Sequence, residues 1–156
     1  MADSLTPVGR DLQRRGIPFR EFRHSGLVSS LEQAAAERGQ RPEQIVRSLL
    51  FRLSQGEYLM ALVAGPRQVG WKALRRVVGQ SRLTTATADE VREVTGYEIG
   101  AVSPFALPQP VRVLLDESVL GEAEVSIGSG ERGTTVILST ADLLRALGDV
   151  ERVNIL

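Results

Sequence analysis

The sequence predicts an α/β fold of the α+β type, one compact domain in which helices are interleaved with hairpins over a mixed sheet. Three observations carry this. Helix-capping signals recur along the chain, at Thr6-Pro7, Ser29-Ser-Leu-Glu32, Thr87-Ala-Asp-Glu90 and Thr140-Ala-Asp142. Two pairs of apolar, β-rich runs, 48–53 with 58–64 and 123–127 with 134–138, are each joined by a short Gly-containing segment. The 156 residues, 42% hydrophobic and 24% charged, suffice for one buried core.

Each element follows from local chemistry. Thr6 and Pro7 open a helix that Gly16 stops. Residues 17–24 read as a strand. The Ser29-to-Glu32 capping box opens a second helix, ending at Gly39. Residues 42–47 read as a short helix running into the strand 48–53, and Gln55-Gly-Glu57 turns that strand into the next, 58–64. Residues 71–78 are helical, with Trp71, Leu74 and Val78 on one face and Arg75 and Arg76 off it. The Thr87 capping box opens a helix that stops at Gly96. The segment 96–110 holds three prolines and two glycines and reads as a loop. A strand over 111–115 ends at Asp116, the second hairpin follows, and a last helix runs to Leu147.

The second hairpin contains VSIGSGERGTTVIL, with Gly128, Gly130 and Gly133 in the spacing of a dinucleotide fingerprint. That motif needs a helix after the glycines, because the pyrophosphate rests on the helix N-terminus. Here Thr134-Thr-Val-Ile-Leu138 follows, and its β-branched residues favour a strand. No acidic residue closes a second strand about 20 residues on. The glycines therefore serve a hairpin turn, and no cofactor is expected.

Composition narrows the chemistry. The chain has no cysteine, which excludes disulfides, thiolate metal sites and a cysteine nucleophile. Its one histidine, His24, argues against a histidine-based metal site or a Ser-His-Asp triad. No apolar run has the length of a membrane span and no signal peptide opens the chain, so no membrane contact and a cytoplasmic location are expected. Net charge is zero but unevenly spread. Residues 1–82 carry 14 basic against 7 acidic side chains, and residues 83–156 carry 5 against 12. Eighteen of the 19 basic residues are arginine, whose planar fork suits phosphate. The loop 96–110, stiffened by Pro104 and loosened by Gly96 and Gly100, can present backbone N–H groups to a developing oxyanion.

The segments PEQIVRSLLF, GYEIGAVSPFAL, LLDES and GSGERG, the last followed by a strand and STADLL, together resemble the YbaK and prolyl-tRNA synthetase-associated domain family. The resemblance runs from about Ile17 to Leu147. It implies a mixed, mostly antiparallel sheet curled into a barrel-like core, and an aminoacyl-tRNA deacylase that hydrolyses mischarged tRNA. With no synthetase core in these residues, it implies a free-standing editor that removes a small amino acid, on tRNA for proline, with a synthetase as a further partner. The family's glycine–proline loop falls on Gly100, Ala101, Val102, Ser103 and Pro104, where backbone amides would meet the ester carbonyl. Gly128, Ser129 and Gly130 resemble the second wall of the aminoacyl pocket. Asp116 matches a family aspartate beside that pocket, and Ser30 stands where the family often has a small hydroxyl residue.

Arg47 is a departure. The family usually has lysine there, meeting the phosphates of the acceptor end. Arginine keeps the charge and a bidentate contact, but not the geometry. A non-catalytic module that holds the acceptor end or a synthetase is the alternative this departure leaves open. The implied mechanism uses water and a terminal ribose hydroxyl of the tRNA. A covalent route through Ser103 or Ser129 lacks a general base in the sequence.

Overall fold

The computed structural model describes residues 5–156; residues 1–4 of the expected 1–156 domain lie outside them. Thr6 caps α1 (Pro7–Arg14), its hydroxyl accepting from the Gly9 N–H at 3.0 Å, and Pro7 opens the helix. Pro18 has no N–H to give a ladder, and β1 is confined to Arg20–Arg23. The cap of α2 (Leu31–Glu37) lies one residue later than the sequence suggests. The Ser30 hydroxyl accepts from the Gln33 N–H, and Gln33 folds back onto the Ser29 N–H.

The expected helix over 42–47 is a single 3-10 turn, Pro42–Gln44. Ile45 and Val46 are both β-branched and already extended, so β2 runs Val46–Leu53 and Arg47 stands on a strand. β3 (Tyr58–Ala64), α3 (Trp71–Val78) and α4 (Ala88–Thr95) agree with the sequence reading. Thr87 and Glu90 form the expected reciprocal cap of α4. β5 is Arg112–Asp116, β6 Glu124–Gly128, β7 Thr134–Ser139 and α5 Thr140–Leu147. The cap of α5 is Ser139, whose hydroxyl accepts from the Asp142 N–H at 3.0 Å. Two strands of three residues, β4 (Leu83–Thr85) and β8 (Glu151–Val153), have no counterpart in the sequence reading. They are too short to show a period.

The strands form two sheets, ordered β4-β2-β3-β5-β8 and β1-β7-β6. Among the described residues four pairings are antiparallel, and β3–β5 and β5–β8 are parallel. The sheet is thus mixed and mostly antiparallel, but it does not close into a barrel. The two sheets meet through one isolated bridge, Ile45 to Ser126. β6 and β7 pair antiparallel across 128–133, so the helix a dinucleotide fingerprint requires is replaced by a strand.

β3 is buried on both faces, which explains its unbroken apolar sequence. Leu59, Ala61 and Val63 pack with Leu74 of α3 and Leu114 of β5. Met60, Leu62 and Ala64 pack in the core that includes Val125, Ile127 and Val136 of the three-stranded sheet.

Candidate active site

Between β2 and the β6–β7 hairpin lies a cavity of about 780 Å³, bounded also by α2 and the loop after α4. That volume falls in the range of small-molecule sites. Gly100 and Val102 contribute the loop wall, and Gly128 meets them from the hairpin. The contact is backbone on backbone. A Cβ at Gly128 would stand 2.9 Å from the Val102 carbonyl carbon and 3.0 Å from that of Ala101, with the Val102 oxygen closer still. Only glycine admits this approach.

Several bonds fix the loop. The Gly130 N–H donates to the Ala101 carbonyl at 2.9 Å, and the Ala101 N–H donates to Glu98 at 3.0 Å. Arg132 donates to the Ile99 carbonyl through Nε (3.2 Å) and Nη2 (3.1 Å). Buried Tyr97 donates its hydroxyl to the Phe105 carbonyl at 2.7 Å. Burial pushes that phenol up to about 12. The N–H groups of Gly100 and Val102 donate to no acceptor among the described residues. Gly100 has φ +96°, and a Cβ there would meet nothing within 4 Å. The loop therefore holds two uncommitted donors at the cavity wall.

The remaining walls carry side-chain chemistry. Arg47 is half-buried, donates through Nη2 to the Arg67 carbonyl, and has no partner for Nε among the described residues. Burial pulls its pKa below the usual arginine value. Its neighbour Ser48 has a buried hydroxyl without a partner. Arg38 reaches the three-stranded sheet, where Nη1 donates to Ser126 Oγ at 2.6 Å and Thr135 Oγ1 at 3.1 Å. Desolvation lowers its pKa as well. His24 Nδ1 lies 2.7 Å from Glu37 Oε1, and this contact holds the Glu37 carboxyl below its ordinary range. The exposed Leu27 and Ile99 line the cavity at its mouth. No cluster of His, Asp or Glu among the described residues could hold a metal ion.

Residues 26–146 match the family model of the aminoacyl-tRNA editing domain. The chain belongs to that family. Among its relatives, the proline–tRNA ligase of Aquifex aeolicus is 27% identical over 108 residues, 69% of this chain and 19% of the ligase. The chain thus spans about a fifth of the length of the first ligases it matches. The multifunctional Ser/Thr-tRNA deacylase ProXp-y of Escherichia coli is 28% identical over 147 residues, 92% of this chain and 87% of that one. A crystal structure described as a candidate trans-editing enzyme for prolyl tRNA synthetase superposes with a TM-score of 0.86 at 31% identity, covering 96% of this chain and 94% of that one.

On this editing domain the cavity gathers Arg47, Gly100, Val102 and Gly128 of the residues singled out in the sequence. The others stand apart from it. Ala101 and Ser103 turn into the core between Gly100, Val102 and Pro104, and Ser103 Oγ accepts from the Phe105 N–H. Pro104 borders a separate cavity of about 260 Å³ beside Arg15 and Phe105. Ser129 is fully buried and donates to the Thr134 carbonyl at 2.6 Å, so it holds the turn. Gly130 packs on Tyr97 and Pro7. Ser30 is the exposed cap of α2. Asp116 is 2% exposed and accepts from the Ser118 N–H at 2.9 Å and the Ile155 N–H at 2.8 Å. It ties the C-terminal tail to β5.

The sequence reading passed over Arg38, Ser48, Ser126 and Thr135, all of which line the cavity. For Arg38 a signal existed. It stands four residues after buried Ala34, on the helix stripe that faces inward.

Proposed function

We propose that the protein is a free-standing, trans-acting deacylase of mischarged tRNA, working as a single domain in the cytoplasm. The observation that carries this reading is the pair of uncommitted amides, Gly100 and Val102, on a closed-in cavity of an editing domain. The ester carbonyl of the aminoacyl group sits against them. Water adds to the carbonyl carbon, assisted by a ribose hydroxyl of the terminal adenosine, and the oxyanion is held by the two N–H groups. The bond to the ribose oxygen then breaks, releasing the free amino acid and a tRNA with its terminal diol restored. One oxyanion donor contributes about 3 kcal/mol, roughly a hundredfold in rate.

The acceptor end enters past Leu27 and Ile99, whose exposed surfaces give the terminal base an apolar seat. Arg47 faces the phosphates. Its guanidinium keeps its charge despite burial, because arginine does not deprotonate in proteins. The substrate is a small amino acid on tRNA for proline, and a synthetase delivers the charged tRNA. The named activities of the relatives support this choice.

A panel of mischarged tRNAs tested by single-turnover deacylation decides the matter. Hydrolysis of a small amino acid from tRNA for proline is the expected result. Binding of the charged tRNA without hydrolysis would make the protein the non-catalytic module that the Arg47 departure leaves open.

A further inference from the structure

From Tyr58 to Ala88 the chain carries no Asp or Glu but five basic residues, Arg67, Lys72, Arg75, Arg76 and Arg82. Four of them belong to α3 and the loop that leads into it. Leu74 is fully buried with Leu59, Ala61 and Val63 of β3, which seats α3 on the face of the five-stranded sheet turned away from the three-stranded one. Lys72 stands three and four residues before Arg75 and Arg76, so the three form one stripe, and all are exposed. Elsewhere surface arginines are paired, Arg41 with Glu122, Arg52 with Glu90 and Arg112 with Glu151, whereas no carboxylate among the described residues pairs with Arg67, Lys72, Arg75 or Arg76. The needs of the helix do not explain the stripe. Cations in the last turn suit its dipole, but Lys72 lies in the first turn, where the dipole disfavours one.

β2 connects this face to the cavity. Arg47, Leu49 and Phe51 alternate onto one side of the strand, and Leu49 and Phe51 pack in the cluster around Leu74. Arg47 therefore stands on the α3 side of the sheet while it also borders the cavity. It reaches both because β4 pairs only with Phe51–Leu53 and leaves the edge of β2 over Val46–Leu49 without a strand. The Arg47 bond to the Arg67 carbonyl then joins the cavity wall to the loop that leads into α3. Trp71, the first residue of α3, meets the Phe51 ring edge-on at 5.5 Å and still remains 39% exposed. The other helix beside the cavity, α4, has the opposite sign, with Asp89, Glu90 and Glu93 against a single arginine, Arg92.

We infer that the outward face of α3 is a second RNA-contact surface, which takes the sugar-phosphate backbone of the acceptor stem of a tRNA whose 3′ end lies in the cavity. This rests on the reading above that a tRNA end enters the cavity. The terminal nucleotides are single-stranded and the duplex begins behind them. A strand that leaves the cavity past Arg47 is drawn toward the flank of opposite charge, which is α3, and away from α4. Double-stranded RNA is held mostly by its shape, through phosphates and 2′-hydroxyls, which calls for a stripe of long cations rather than a pocket. The eight residues of α3 span about 12 Å, the reach of several consecutive phosphates. Trp71 opens the helix that carries the stripe, so RNA laid there changes the surroundings of its ring.

The test is a binding titration with three probes: uncharged tRNA for proline, a hairpin carrying its acceptor stem, and a single strand of its terminal nucleotides alone. Trp71 is the only tryptophan in the chain, so its emission reports on this face. The tRNA and the hairpin should change that emission on binding, and the single strand should not. In the double variant Arg75→Gln, Arg76→Gln, Kd for tRNA and hairpin should rise at least about tenfold at low salt, and the salt slope should fall by about two. Kd for the single strand should stay where it was. Glutamine is a good helix former, and an unchanged Tm shows that the fold is kept. Where the double variant fails to fold, Lys72→Gln carries the same test with a slope change of about one. Arg112→Gln removes an arginine already paired with Glu151 and controls for net charge. An equal loss for tRNA and single strand, or an equal effect of Arg112→Gln, overturns the inference. So does an unchanged tRNA Kd and slope, which would leave the face to an acidic protein instead. Hydrolysis of mischarged tRNA with α3 silent in binding refutes the surface alone. Binding of tRNA that depends on α3, with no mischarged substrate hydrolysed, refutes the deacylase reading alone.

Discussion

Replacing Gly128 by alanine adds a single methyl group, and the structure says where it goes. The new Cβ would lie 2.9 Å from the Val102 carbonyl carbon and 3.0 Å from that of Ala101, with the Val102 oxygen nearer than either. Ordinary contact begins at 3.4 Å, so the carbon alone calls for a retreat of about half an ångström and the oxygen for more. All three atoms are backbone, and no side-chain rotation relieves them. The loop is also pinned on its other side by Tyr97 and Arg132. The Gly100–Val102 amides must therefore shift by on the order of 1 Å, a misplacement that costs roughly a hundredfold in rate. Single-turnover deacylation of the best substrate, with circular dichroism and thermal melting as controls, measures this. A folded Gly128→Ala variant that hydrolyses at the wild-type rate would show that the loop amides do not hold the oxyanion. The contrast is Gly100→Ala, whose Cβ meets no protein atom and whose penalty is the positive φ, about 1–2 kcal/mol.

Three further outcomes are expected. Asp116→Ala strands two backbone N–H groups, one of them buried, at a cost of about 3 kcal/mol; differential scanning calorimetry should show Tm lower by about 10 °C, with the rate per folded molecule retained. Tyr97 has its pKa raised on folding from 10.0 to about 12, so its contribution is complete below pH 10 and is lost as pH rises toward 12. Melting followed across that window should fall in the wild type and lose that component in Tyr97→Phe, which also gives up about 1 kcal/mol at neutral pH. Arg47→Ala should weaken tRNA binding and reduce the salt slope of affinity by about one, as read by binding titrations from 50 to 200 mM salt. An unchanged slope would make Arg47 a structural tie to the Arg67 carbonyl.

The sequence reveals what is local. The β6–β7 hairpin was legible because Thr134 to Ile137 are all β-branched where a nucleotide fold demands a helix. The α4 cap was legible because Thr87 and Glu90 bond within one turn. What depends on partners far along the chain was not. β4 and β8 exist only as edges laid on β2 and β5, and three residues carry no period. Arg47 was read as helical because Pro42-Glu-Gln opens a helix, but the long strand pairing of β2 with β3 extends back to Val46. In the candidate site the glycine–proline loop was found as a block, although only alternate residues, Gly100 and Val102, reach the cavity. Asp116 entered the site only through its match to a family aspartate; the structure pairs it with the Ile155 N–H, 39 residues away, which no local pattern announces.

The meeting of Gly128 with Val102 divides labour within the cavity. One wall is main chain alone, and the amino acids standing on it contribute no side-chain recognition. In the proposed deacylase, the oxyanion donors on that wall would serve any amino acid alike. Side chains of α2, β2 and β6 supply much of the remaining lining. Side chains elsewhere in the lining can change without disturbing the contact of Gly128 with Val102. Position 128 has no such freedom, because any side chain there meets the main chain of Ala101 and Val102.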